Sequence, residues 1–108
     1  MNIALPAPIE RYLQADANAD ETLLSACFVA DAEVRDEGRA IRGHDAILAW
    51  KRASKTKYQY QVHPQSVSQK DDTVVMVASV TGNFPGSPAA LTYTFVLRAD
   101  RIASLEIR

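Results

Sequence analysis

The apolar positions of this chain change period near residue 30. Before it, Ile9, Tyr12 and Leu13 recur at helical spacing with Glu10, Arg11 and Gln14 between them, and Pro8 suits a first helical turn, where a missing N–H costs no bond. The spacing predicts a helix with Tyr12 facing inward. Asp20 reads as the N-cap of a second short helix, with Glu21 in its first turn and Leu23, Leu24, Cys27 and Phe28 as its apolar stripe. After Phe28 the pattern alternates, so that Val34 and Asp36 of Ala32-Glu33-Val34-Arg35-Asp36 share one face of a strand. Glu37-Gly38 then turns the chain into a short partner, Arg39-Ala40-Ile41-Arg42, which ends at Gly43.

A third helix is expected from about Asp45 to Lys55, with Ile47, Leu48 and Trp50 as its larger apolar residues. Lys51, Arg52, Lys55 and Lys57 read as its solvated basic end, placed to suit the helix dipole. From Tyr58 onward only strands are expected. Tyr58 to Gln69 alternates, Pro64 marks a bulge or an edge, and Lys70-Asp71-Asp72 is a polar turn. Thr73 to Thr81 is Val-rich, as a strand buried on both faces would be, and Asn83 to Pro88 is a loop. Leu91, Tyr93, Phe95 and Leu97 share a strand face, Ala99-Asp100-Arg101 turns, and Ile102 to Ile107 is the last strand. Helices first and antiparallel strands after them give an α+β fold: three N-terminal helices packed on the concave face of a strongly curved sheet, which forms a cup.

Length and composition narrow the classes. A chain of 108 residues is the size of one domain, here 1–108, and with 47% hydrophobic and 23% charged residues it can build a core. A net charge of -1 supplies no basic excess for a nucleic-acid partner. No apolar run approaches the roughly 18 residues of a membrane span, and the start lacks the basic and apolar regions of a leader, so the expected location is cytoplasmic. The single Cys27 forms no internal disulfide, and two scattered histidines give no metal-ligand spacing. Neither a phosphate loop nor a nucleophile elbow is present, so no cofactor is expected.

The residue with most chemical content is Asp36. A carboxylate on the apolar side of a strand is disfavoured in its charged form, which brings it toward general-base behaviour. The structural reading is that Asp36 caps the hairpin turn or pairs with Arg39 or Arg42 at the surface. Tyr12 likewise has two readings: a core phenol satisfied locally, or a hydrogen-bond donor to a ligand. Trp50, Met76, Phe84 and Phe95 are either packing or the ligand-binding lining of a cavity.

The order of elements, with Arg11-Tyr12, Phe28-Val29-Ala30-Asp31-Ala32-Glu33-Val34-Arg35-Asp36 and Arg42-Gly43-His44-Asp45-Ala46-Ile47, resembles the NTF2-like superfamily, in particular its SnoaL-like and ketosteroid-isomerase-like members. The resemblance covers nearly the whole chain and implies a cone-shaped fold with a mixed, mostly antiparallel sheet. In the isomerases a tyrosine of the first helix stabilises the developing oxyanion while an aspartate of the first strand moves the proton; Tyr12 and Asp36 match those positions. A second donor, a protonated aspartic acid on a late strand, is replaced here by Tyr93, whose phenol can also donate. The implied function is a small-hydrophobic-ligand pocket, used by a cofactor-independent isomerase- or cyclase-type enzyme with Asp36 as base and Tyr12 and Tyr93 as donors. The alternative is a non-catalytic ligand-binding or dimerising module. A homodimer is expected through the outer sheet face, because Val75 and Val77 lie opposite Met76 and Ala78 and the helices can cover one face only.

Overall fold

A computed structural model of the protein describes residues 4–108; Met1 to Ile3, on which part of the leader reading falls, lie outside the described residues. Its elements in chain order are α1 (Ala7–Asn18), α2 (Glu21–Cys27), β1 (Phe28–Asp36), β2 (Arg39–Arg42), α3 (His44–Tyr58), β3 (Gln61–Lys70), β4 (Thr73–Thr81), β5 (Ala89–Arg98) and β6 (Arg101–Ile107). The strands form one six-stranded sheet in the order β2-β1-β6-β5-β4-β3. Among the described residues only β1 and β6 run parallel and every other pairing is antiparallel, so the sheet is mixed and open, with β2 and β3 at its edges. This is the expected α+β architecture.

Local chemistry sets the element ends. Asp20 accepts the Leu23 N–H at 3.1 Å and so caps α2. Ala19 and Gln59 adopt left-handed conformations that stop α1 and α3. The last of these helices runs three residues beyond the expected Lys55, because no glycine or proline interrupts it before Gln59. Glu37 and Gly38 both have positive φ, 53° and 74°, as a tight two-residue hairpin requires. Pro64 sits on edge strand β3 where the register against β4 shifts.

Each helix contributes one stripe to the core. Ile9, Tyr12, Ala15 and Asp16 are the buried face of α1, and Ile47, Trp50 and Lys51 that of α3. They meet alternate residues of the strands: Val34 from β1, Val74, Met76, Ala78 and Val80 from β4, Tyr93 and Phe95 from β5, and Ile102 and Leu105 from β6. The Tyr12 ring is packed edge-on against Phe28 and Phe95, with centroids 6.0 and 5.7 Å away. One expectation is corrected here. Strand β4 is fully buried on one face only; Val75 and Val77 on the other are half-buried, because among the described residues no helix covers that side. Among the described residues no helix is long and apolar enough to cross a membrane.

The loop after β4 is pinned back onto α3. The Asn83 N–H donates to the Tyr58 carbonyl at 2.6 Å, and Phe84 packs edge-on against Tyr58 at 5.9 Å. Gly82 permits this approach: a Cβ there would lie 2.8 Å from the Tyr58 carbonyl oxygen and 3.0 Å from the Tyr60 Cα. Gly82→Ala should therefore lower stability by about 1–3 kcal/mol, measured by urea unfolding, and an unchanged midpoint would show that the loop is not held by this contact.

Candidate active site

The open side of the sheet and the second half of α3 enclose a cavity of about 560 Å³. Asp36 and Glu37 enter it from the end of β1, and Trp50, Ser54 and Tyr58 from α3. Tyr60 forms the wall between α3 and β3, Phe84 and Pro85 come from the pinned loop, and Leu91 and Tyr93 come from β5. Val80, Ala89 and Ile107 add apolar surface, and Arg108 lies at the rim. Polar groups are thus few and gathered around an apolar interior, as in small-molecule sites.

Asp36 is half-buried, with Val34 fully buried two positions earlier on the same strand face. Its Oδ2 accepts the Trp50 indole N–H at 3.0 Å. No cationic side chain among the described residues forms an ion pair with it: Arg42 binds Glu33 at 3.2 Å, and Arg39, its register partner on β2, makes no salt bridge. The carboxylate is therefore held by one neutral donor, which leaves Oδ1 without a protein hydrogen bond among the described residues.

Behind the wall lies a charged cluster. Lys51 is buried, and its Nζ donates to Asp16 Oδ1 at 2.7 Å, to the Tyr12 hydroxyl at 3.0 Å and to the Tyr60 hydroxyl at 2.6 Å. These three acceptors match the three donors of an ammonium. The Tyr60 hydroxyl in turn donates to Asp16 Oδ1 at 2.7 Å, and Lys55 lies 3.6 Å from Asp16 Oδ2. Burial pulls Lys51 below the ordinary lysine value while Asp16 pulls it back. The reading of Lys51 as part of a solvated helix end is overturned. It sits on the buried stripe four residues after Ile47, and Asp16 follows Tyr12 by four on the buried stripe of α1. Helical spacing alone placed both inside; their charge hid them.

Of the residues singled out from sequence, Asp36, Tyr93, Trp50 and Phe84 share the cavity wall. Tyr12, Met76 and Phe95 do not line it; they are core side chains, 1%, 0% and 0% exposed, and the Tyr12 hydroxyl is engaged by Lys51. Tyr93 is buried but makes no side-chain hydrogen bond to a described residue, and its hydroxyl is not a sealed, unsatisfied group. It therefore opens to the cavity that it lines. Tyr60, Ser54, Tyr58, Glu37 and Leu91 are lining residues that the sequence reading did not select. Among the described residues no group of three His, Cys, Asp or Glu side chains could hold a metal ion.

An open mixed sheet with three helices on one face and a cavity between them is an NTF2-like fold. The SnoaL-like domain family matches residues 9–104, and the chain belongs to that family. It is similar over 96% of its length, and 95% of the other chain, to a proposed polyketide cyclase from Sinorhizobium meliloti, with 41% identity and a TM-score of 0.94. A Sphaerobacter thermophilus protein is 26% identical, with 97% of this chain and 96% of that one covered and a TM-score of 0.82. A Catenulispora acidiphila protein with a ketosteroid isomerase-like fold, solved with trimethylamine, is 20% identical; 97% of this chain and 86% of that one are covered, at a TM-score of 0.84. That likeness is one of fold. A search of curated proteins returned no match.

Three tyrosines, one in the core and two in the cavity wall, supply a test of this geometry. Burial, the largest cause, with nearby carboxylates raises Tyr12, Tyr60 and Tyr93 above the ordinary value of 10.0. Between that value and the raised ones the folded state holds more protons than the unfolded chain, so stability should fall as pH rises above about 10. Spectrophotometric titration should show these phenols ionising only as the fold opens. Reversible ionisation of all the tyrosines near pH 10 in a folded protein would contradict the burial described.

Proposed function

We propose that the cavity receives a small, largely apolar carbonyl compound, on which Asp36 performs cofactor-independent proton transfer of the isomerase or cyclase type. The observation that carries this reading is Asp36 itself, a carboxylate without a cationic partner among the described residues, fixed by Trp50 at the wall of an apolar cavity. With Oδ2 bound to the indole, Oδ1 is the oxygen left to take a proton from the carbon beside the carbonyl. The electron pair of that C–H bond moves toward the carbonyl oxygen and forms an enolate. Tyr93, whose hydroxyl opens to the cavity, donates to that oxygen. The protonated Asp36 then returns the proton, at another carbon for an isomerisation. Tyr12 supports the wall from behind through Lys51. The Sinorhizobium meliloti relative, a proposed polyketide cyclase, supports a substrate of this carbonyl-bearing kind.

Proton abstraction can be read without knowing the natural substrate, by NMR of hydrogen–deuterium exchange beside the carbonyl of 2-tetralone in D₂O. Native protein should accelerate exchange, and Asp36→Asn, which keeps shape and hydrogen bonding, should lose about 10²- to 10⁴-fold of that acceleration. An Asn variant as fast as the native protein would sink the assignment. Binding of the ketone without any accelerated exchange would instead favour a non-catalytic ligand-binding module.

We further propose that the chain pairs through the uncovered sheet face. Val75 and Val77 of β4 lie beside Thr94 and Thr92 of β5, and Val96 on the same face is 37% exposed. Light scattering at micromolar concentration should give twice the monomer mass; a monomer would count against this interface.

A further inference from the structure

The cluster behind the cavity carries an excess of positive charge. Lys51 and Lys55 both converge on the single carboxylate of Asp16, at 2.7 and 3.6 Å, so two ammonium groups face one carboxylate. Neither lysine lines the cavity, whereas the rings they touch do: Lys51 Nζ lies 4.3 Å from the Trp50 ring centroid and Lys55 Nζ 4.1 Å from that of Tyr60. The ammonium groups therefore lie outside the wall formed by those rings. At the mouth the balance differs. Lys57, 5.0 Å from the Tyr58 ring, is offset by Glu37, which accepts the Tyr58 hydroxyl at 2.7 Å. Arg108 at the rim is held by Glu106 at 3.2 Å.

We propose that Lys51 and Lys55 make the inner wall of the cavity electropositive, so that the pocket selects ligands that carry or develop a delocalised negative charge, of the enolate or phenolate class. This deepens the proton-transfer reading and rests on it. While Asp36 is ionised, its charge opposes the cluster across the Trp50 and Tyr60 rings. Once Asp36 has taken the proton, that negative charge belongs to the ligand, and the wall remains positive. The lysines touch no ligand; they are positioning residues that act through the two rings. A ring already bearing an ammonium on one side is a poor seat for a second cation, which sets this pocket apart from an aromatic cage for alkylammonium groups.

Affinities for three probes of similar size separate the possibilities: 4-nitrophenolate, neutral nitrobenzene and phenyltrimethylammonium. They are to be measured by calorimetry at a pH where the phenol is free as its anion. The reference protein is Asp36→Asn, whose amide stands for the protonated carboxyl. It should bind the phenolate more tightly than nitrobenzene and the ammonium probe least. Adding Lys55→Met, which leaves the Asp16–Lys51 pair in place, should reduce the phenolate-to-nitrobenzene ratio on the order of 10-fold. Lys51→Met should do the same, with circular dichroism checking that it folds; should it not fold, the Lys55 variant decides alone. Equal loss of both probes, or an unchanged ratio, would mean that the lysines are structural only and would overturn the inference while leaving the pocket reading intact. Preferred binding of the ammonium probe would also overturn it. Failure of all three probes to bind would remove the pocket reading and this inference with it.

Discussion

The buried contact between Asp16 and Lys51 is the constraint on which the rest of the site depends. Taking both charges out of water costs several kcal/mol per ion in effect, and the pair is tolerable only because every donor of the ammonium finds an acceptor. Those acceptors come from α1, through Asp16 and Tyr12, and from the link that leads into β3, through Tyr60, while Lys51 itself belongs to α3. One group thus ties two helices to the β3 side of the fold. Removing one partner would leave a buried charge uncompensated, at a cost of about 3–5 kcal/mol. By contrast Arg52 and Glu21, paired at 2.5 Å between α3 and α2, lie exposed at the surface and open to screening.

The position of Lys51 propagates directly into the cavity. Its neighbour in sequence, Trp50, has a ring pressed by the ammonium and an indole N–H committed to Asp36. Tyr60 spends its hydroxyl on Asp16 and so offers the cavity a ring rather than a donor. The labour is divided by hydrogen-bond arithmetic: Tyr60 and Tyr12 are occupied by the cluster, and Tyr93 has its hydroxyl to spare. The proposed chemistry uses this division, with Asp36 to move the proton and Tyr93 to meet the oxygen in front of the cluster.

Much of the fold was legible because its signals are periodic. The Val34–Asp36 alternation, the Glu37-Gly38 turn, the Asp20 cap and the Pro64 irregularity each express a local rule that the surrounding structure did not override. The long-range part was not legible. Lys51 and Asp16 were hidden because the usual cost of burying charge argues for solvent, and their mutual compensation spans two helices far apart in sequence. Tyr12 pointed inward as expected, yet an inward direction does not separate a core position from a cavity wall. Met76 and Phe95 illustrate the same limit: both are inside, beneath the wall rather than in it. The valines of β4 looked buried on both faces because composition cannot say which face the helices cover.

The central claim, that Asp36 and Tyr93 converge on one carbonyl compound inside the cup, is tested most directly by a crystal structure of the Asp36→Asn protein with 2-tetralone. The ketone oxygen should lie within about 3 Å of the Tyr93 hydroxyl, with the acidic carbon facing the side chain at position 36 and the ring system against Trp50 and Phe84. A ketone bound elsewhere, or one lying in the cavity with its oxygen turned away from Tyr93 and its acidic carbon out of reach of position 36, would contradict it.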